Sequence, residues 1–181
     1  MYIRISASGK DYATKILSNK YKLNRIVQFT TRPMRGNEKD GVDYNFINKD
    51  SFEKMISEDY FVSFRVFKSL TSDWYYGISR ESMNVSQNSI ICIDMEGLTE
   101  LLEKYNKHNI ISVFIDADYA TRRERADKRS SFNIDEFNRR YKDDLNKIDK
   151  IKSKCDYIVD NNRFGNCANM LSAILEKRLK L

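Results

Sequence analysis

Short β-prone runs alternate along this chain with longer stretches whose apolar residues recur every three or four positions, the two rhythms of strand and helix. Met1 to Ser6 predicts a strand, and a helix follows through about Lys20 with Tyr12, Ile16 and Leu17 on one side. Asn24 to Thr30 predicts a second core strand. Asp50 and Glu53 read as a capping box for a helix from Ser51 to about Ser57 that buries Phe52 and Met55. Tyr60 to Phe67 alternates as a strand, and Ser79 to about Gln87 predicts a helix. Ser89 to Asp94 and Ile110 to Ile115 are continuous apolar runs, the pattern of parallel strands buried on both faces. Helices are predicted over Leu98 to Lys104 and Tyr119 to Asp127. Asn133 with Glu136 caps a long helix carrying Ile134, Phe137, Tyr141, Leu145, Ile148 and Ile151 on one face. Asp156 to Asp160 is the last strand, and a helix from about Asn166 to Leu179 buries Met170, Leu171, Ile174 and Leu175.

Strands alternating with helices imply a three-layer α/β domain around a parallel sheet. With 181 residues and 41% hydrophobic content, one compact unit with inserted subdomains is expected. Lys and Arg outnumber Asp and Glu by 32 to 26, giving a net charge of +6 that suits an anionic partner. The excess is concentrated between Tyr119 and Lys142, where eight basic residues face four acidic ones. Cys92, Cys155 and Cys167 form no C-x-x-C pair and read as reduced thiols, and one histidine, His108, argues against a histidine metal centre or a His-dependent triad. No apolar run reaches transmembrane length, so the expectation is a cytoplasmic protein, monomer or homodimer, with no membrane partner.

Chemistry concentrates between Phe29 and Phe46, in FTTRPMRGNEKDGVDYNF. Two guanidinium groups, Arg32 and Arg35, and the phenol of Tyr44 are held close by Pro33, Gly36 and Gly41. Arg suits phosphate because its planar fork donates parallel charge-assisted hydrogen bonds. The TTR-x-x-R followed by G-x-D-Y resembles the nucleoside-monophosphate-binding segment of guanylate kinases, and Tyr75-Tyr76-Gly77 resembles a second landmark of that family. The resemblance implies a P-loop NTPase-like fold with a core (1–31, 81–118, 143–181), an acceptor-binding insert (32–80) and a helical lid (119–142). It implies that Arg32, Arg35, Tyr44 and Tyr76 grip the acceptor phosphate, that Asp94 orients the acceptor base or a magnesium-bound water, and that Arg125, Arg129 and Arg140 close over the phosphates. Asn161 matches the family's Asn near the adenine of ATP. Arg122, Arg123 and Arg139 match nothing and read as a solvated face.

Two departures qualify the resemblance. Ser8, Gly9, Lys10 and Asp11 stand where a phosphate loop belongs, yet G-x-x-x-x-G-K-[ST] is not intact: Arg4 replaces the first Gly and Asp11 the Ser or Thr. Lys10, 22 residues before Arg32, is the preferred phosphate lysine, and a gap-free register places Tyr12 there instead. Asp11 would bind magnesium through its carboxylate. Ser63 stands where the family carries a base-reading Glu, and Gln28 and Ile78 replace small hydroxyl residues, which leaves the acceptor base open. The expected reaction is transfer of the γ-phosphoryl of ATP, with Mg2+, to GMP or a related nucleoside monophosphate. A catalytically impaired module that binds a nucleotide or phosphorylated partner is the alternative. A nucleic-acid binder driven by the basic segment is the least favoured reading.

Overall fold

A computed structural model describes residues 2–3, 7–36, 38–68, 72–83, 87–128 and 132–179. Its elements in chain order are β1 (Tyr2–Ile3), α1 (Lys10–Tyr21), β2 (Asn24–Arg25), β3 (Phe29–Thr30), β4 (Asn45–Phe46), α2 (Lys49–Ser57), β5 (Phe61–Lys68), β6 (Asp73–Ser79) and α3 (Arg80–Met83). There follow β7 (Ser89–Ile90), β8 (Cys92–Ile93), α4 (Met95–Lys104), β9 (Val113–Asp116), α5 (Tyr119–Asp127), α6 (Ile134–Lys154), β10 (Tyr157–Asp160) and α7 (Phe164–Leu179). The chain divides into two compact units, one of residues 1–24 and 90–181 and one of residues 25–89.

In the first unit a fully parallel sheet has the order β10-β9-β1-β8. Parallel strands joined through helices must be covered on both faces, and the apolar runs supply the residues that do it. Leu17 of α1, Ile115 of β9, Val159 of β10 and Leu171 of α7 are buried together in one cluster. Strand β1 has β8 on one side and β9 on the other, so the chain leaves it in both directions. In open α/β sheets ligands bind outside the carboxyl ends of strands at such a point. Ser8 to Asp11 follow β1, Asp94 follows β8 and Asn161 follows β10.

Helix α6 starts where the sequence predicts, with the Asn133 side chain accepting from the Glu136 N–H at 2.9 Å. It then runs unbroken for 21 residues. Arg122, expected on a solvated face, is 1% exposed: its guanidinium pairs with Asp144 of α6 and lies 4.8 Å over the Tyr141 ring. A charge this deeply buried persists because both an acceptor and a π face meet it. Tyr12, Leu145 and Met170, expected to pack, are about half exposed, and next to Tyr12 and Met170 the buried positions fall to Ala13 and Leu171.

The second unit is built on a mixed sheet of order β4-β3-β6-β5, with β3 parallel to β4 and antiparallel to β6. The predicted continuous strand Asn24 to Thr30 is instead two short strands, and β3 belongs to this mixed sheet rather than to the parallel one. Between the pieces, Asn45 engages the backbone: its N–H donates to the Gln28 carbonyl and its amide to that of Val27. Helix α2 begins earlier than predicted, since Asn48 rather than Asp50 is its cap and accepts from the Ser51 N–H at 2.7 Å. Phe52 of α2 stacks on Phe61 of β5 at 4.5 Å. Gly77 is required there, because a Cβ would lie 2.6 Å from the Phe61 ring.

Candidate functional site

Each unit holds one group of the candidate side chains. In the second unit, Thr30 and Thr31 weld the end of β3 to β6 immediately before the first arginine. The Thr31 N–H donates to the Tyr75 carbonyl at 3.1 Å, the Thr30 hydroxyl donates to the same carbonyl at 2.9 Å, and the Tyr75 N–H donates to the Thr31 hydroxyl at 3.0 Å. The Thr30 hydroxyl also accepts from the Arg32 N–H at 3.2 Å. The backbone that presents Arg32 is thereby fixed by side chains of its own two predecessors.

Arg32 is 4% exposed, and its guanidinium is gripped from several sides. Nη2 donates to both carboxylate oxygens of Glu38 at 2.8 and 2.9 Å, and Nη1 donates to the Pro33 carbonyl at 2.6 Å. Its carbon lies 5.4 Å over the Tyr44 ring and 5.6 Å over Phe46. Glu38 also accepts from the Arg35 N–H at 2.8 Å and stands 3.8 Å from the Arg35 guanidinium. Tyr44 meets Tyr76 edge to face at 5.8 Å. Arg32, Arg35, Tyr44 and Tyr76 are therefore linked in one group, the two arginines through Glu38 and the two tyrosines through the Tyr44 ring against Arg32. Glu38 is the residue that sequence reasoning missed. The signal available for it was a carboxylate three residues after Arg35 in a loop otherwise suited to anions. Ser63 lies buried on β5 opposite Ile78 of β6, next to an irregularity in the ladder between Phe61 and Ser63.

In the first unit, Gly9 precedes α1 with φ of +90°, and Lys10 is the first residue of that helix. Backbone N–H groups at a helix start attract anions. Lys10 is 8% exposed and its ammonium lies 2.9 Å from the Asp11 carboxylate. Tyr12, the competing candidate for the lysine position, is half exposed. The Ser8 carbonyl accepts from the Asn161 amide at 2.6 Å and from Arg125 Nη1 at 3.3 Å, while Arg125 Nη2 donates to the Asn161 carbonyl at 2.7 Å. The Ser8 hydroxyl is buried and makes no hydrogen bond among the described residues. A Cβ at Gly9 would lie 2.3 Å from the Asn161 amide nitrogen, so space as well as φ demands glycine there. Ser8, Gly9, Arg125 and Asn161 are thus brought together, with Lys10 and Asp11 next in sequence.

The remaining predicted residues sit otherwise. Asp94 caps α4, accepting from the Gly97 N–H at 2.7 Å. Arg140 donates to Glu136 at 2.6 Å on α6. Burial works to raise the Glu136 carboxyl, but hydrogen bonds from Arg139 and Arg140 prevail and hold it below the usual range. Arg129 lies outside the described residues. Burial pushes the Cys155 thiol up to about 12 and the Cys167 thiol up to about 11, so both stay protonated and poorly nucleophilic at neutral pH.

Comparison with known proteins matches residues 1–178 to the family model for guanylate kinase. The chain belongs to the guanylate kinase family. The guanylate kinase of Wolbachia pipientis is 30% identical, over 97% of this chain and 88% of that protein. That of Fusobacterium nucleatum is 26% identical over 97% and 94% respectively. The crystal structure of guanylate kinase from Anaplasma phagocytophilum shares the fold, with a TM-score of 0.71, 24% identity, and coverage of 98% of this chain and 84% of that one. Family and fold make the chain a nucleoside monophosphate kinase of guanylate kinase type. Among the described residues no helix is long and apolar enough to cross a membrane.

Proposed function

We propose that this protein transfers the γ-phosphoryl group of ATP to GMP or a closely related nucleoside monophosphate, in the cytoplasm. The observation that carries the reading is the linked group of Arg32 and Arg35, joined by Glu38, with Tyr44 against Arg32 and Tyr76 against Tyr44. Two guanidinium groups and two phenols form a donor set for one phosphoryl group. In this reading, residues 32–80 hold the acceptor, residues 119–142 act as the lid, and the rest is the donor-binding core.

Phosphoryl transfer needs alignment and charge neutralisation rather than a protein nucleophile. Arg32 and Arg35 hold the acceptor phosphate, while Tyr44 and Tyr76 line its pocket and fix its orientation. Ser8, Gly9 and Lys10 cradle the donor phosphates at the start of α1, Asn161 and Arg125 brace that loop, and Arg129 and Arg140 neutralise charge from the lid. In the second unit Ser63 faces the acceptor base, and in the first Asp94, at the end of β8, would orient a magnesium-bound water. Mg2+ keeps several waters and takes one or two carboxylates together with substrate phosphates. No group of three or more metal-suited side chains occurs among the described residues, so the ion would come with the nucleotide and Asp11 would hold it. When bound, it neutralises phosphate oxygens.

A second reading, a binding module without turnover, is favoured by one observation: the Lys10 ammonium is already paired with Asp11. Coupled ATP consumption measured with GMP, dGMP, IMP, AMP and UMP separates the two. Turnover with GMP among the preferred acceptors is expected. Monophosphate binding with no turnover on any acceptor would hand the case to the module.

A further inference from the structure

We infer that Glu38 is a positioning residue of the acceptor clamp, holding the guanidinium of Arg32 and the backbone of Arg35 in place before the nucleotide arrives. The inference rests on the reading of the clamp as the acceptor-phosphate site and names the side chain that organises it.

The geometry supports positioning over blockade. Glu38 approaches Arg32 through Nη2 alone, with both oxygens on that nitrogen at 2.8 and 2.9 Å, while Nη1 is held by the Pro33 carbonyl. The guanidinium's Nε–H takes no partner among the described residues. Glu38 therefore fixes the plane of the fork without covering its whole donor edge, and the Tyr44 and Phe46 rings fix the faces of that plane. The same carboxylate ties down the Arg35 N–H at 2.8 Å, so one side chain sets the separation of the two arginines.

Charge makes the same case. Arg32 is buried, and an unpaired guanidinium there would carry a large desolvation penalty. One carboxylate shared by two arginines offsets most of that penalty and leaves the cluster at a net +1, still attractive to a phosphate dianion. Preorganised donors spend less binding energy on ordering themselves.

The test is calorimetric titration of GMP into the wild type, Glu38→Ala and Glu38→Gln, with steady-state KM and kcat for both substrates. Glu38→Ala is expected to weaken GMP binding about 30-fold or more, the scale for truncating one partner of a buried charge pair. KM for GMP should rise with it, while KM for ATP changes less than about twofold. Glu38→Gln, which preserves shape and one acceptor oxygen, should fall between. GMP affinity equal to or greater than wild type in Glu38→Ala would overturn the inference and mark Glu38 as a blocking group. Equal losses for GMP and ATP in both variants would overturn it as well, since they would report general unfolding rather than positioning. Failure of the wild type to bind GMP would instead overturn the clamp reading on which the inference rests.

Discussion

In the second unit the anion clamp draws Arg32, Arg35, Glu38 and Tyr44 from thirteen consecutive residues and only Tyr76 from elsewhere, whereas in the first unit the phosphate loop is braced by Arg125 and Asn161 from far along the chain. The two groups also handle charge differently. Arg32 is buried, donates through Nη2 to both oxygens of a carboxylate and is flanked by rings, so protein groups set its orientation. Lys10 is buried and, among the described residues, its ammonium is paired with its own sequence neighbour, a mostly exposed aspartate. The contrast teaches that, in the proposed reading, the acceptor side is oriented by protein groups from its own segment, while the lysine of the donor side meets an exposed carboxylate beside it.

The largest expected effect breaks the donor side. Lys10→Ala should lower kcat by about 100-fold or more, as loss of a charge aimed at the transferring group does, with GMP affinity held within a few fold. Tyr12→Phe should leave turnover unchanged, because that side chain is half exposed. A coupled ADP assay on both variants checks the register, and reversed outcomes would place Tyr12 rather than Lys10 in the loop.

Next comes the brace. Gly9→Ala puts a Cβ into the Asn161 amide and strains a φ of +90°, a cost of about 1–3 kcal/mol. Thermal melting should drop, and KM for ATP should rise more than KM for GMP. An unchanged KM for ATP would show that the bracing contacts play no part in donor binding.

The smallest effect concerns pH. Glu136 titrates below its ordinary 4.5 because Arg139 and Arg140 donate to it. Its contribution is therefore complete above about pH 4.5 and is lost as pH falls through the lowered folded value. Thermal stability measured between pH 6 and pH 3 should decline in the wild type more than in Glu136→Gln. Parallel declines would remove Glu136 from the account.

The same contrast explains what the sequence could reveal. Arg32, Arg35 and Tyr44 were legible because they are close in sequence and carry a recognisable spacing, Tyr76 because it sits in a Tyr-Tyr-Gly landmark, and α6 because Asn133 caps it locally. Glu38 was passed over, since a charged residue in a glycine-containing loop looks like solvent-facing polarity until its partners are seen. The contacts of Ser8 with Arg125 and Asn161 join residues more than a hundred positions apart, and no local pattern encodes them. Arg122 was read as solvated because it matches no position of the family pattern, yet Asp144 and Tyr141 on the next helix enclose it. The break in the run from Asn24 to Thr30 came from Asn45, a partner outside the run itself.

The central claim is that the clamp in the second unit holds a nucleotide by its phosphoryl group. Titration of GMP and of guanosine into the same preparation measures that directly. GMP should bind about 100-fold more tightly or better, the scale of two charge-assisted contacts to one phosphate, and Arg32→Ala should erase most of the difference. Equal affinity for GMP and guanosine in the wild-type protein would contradict the account.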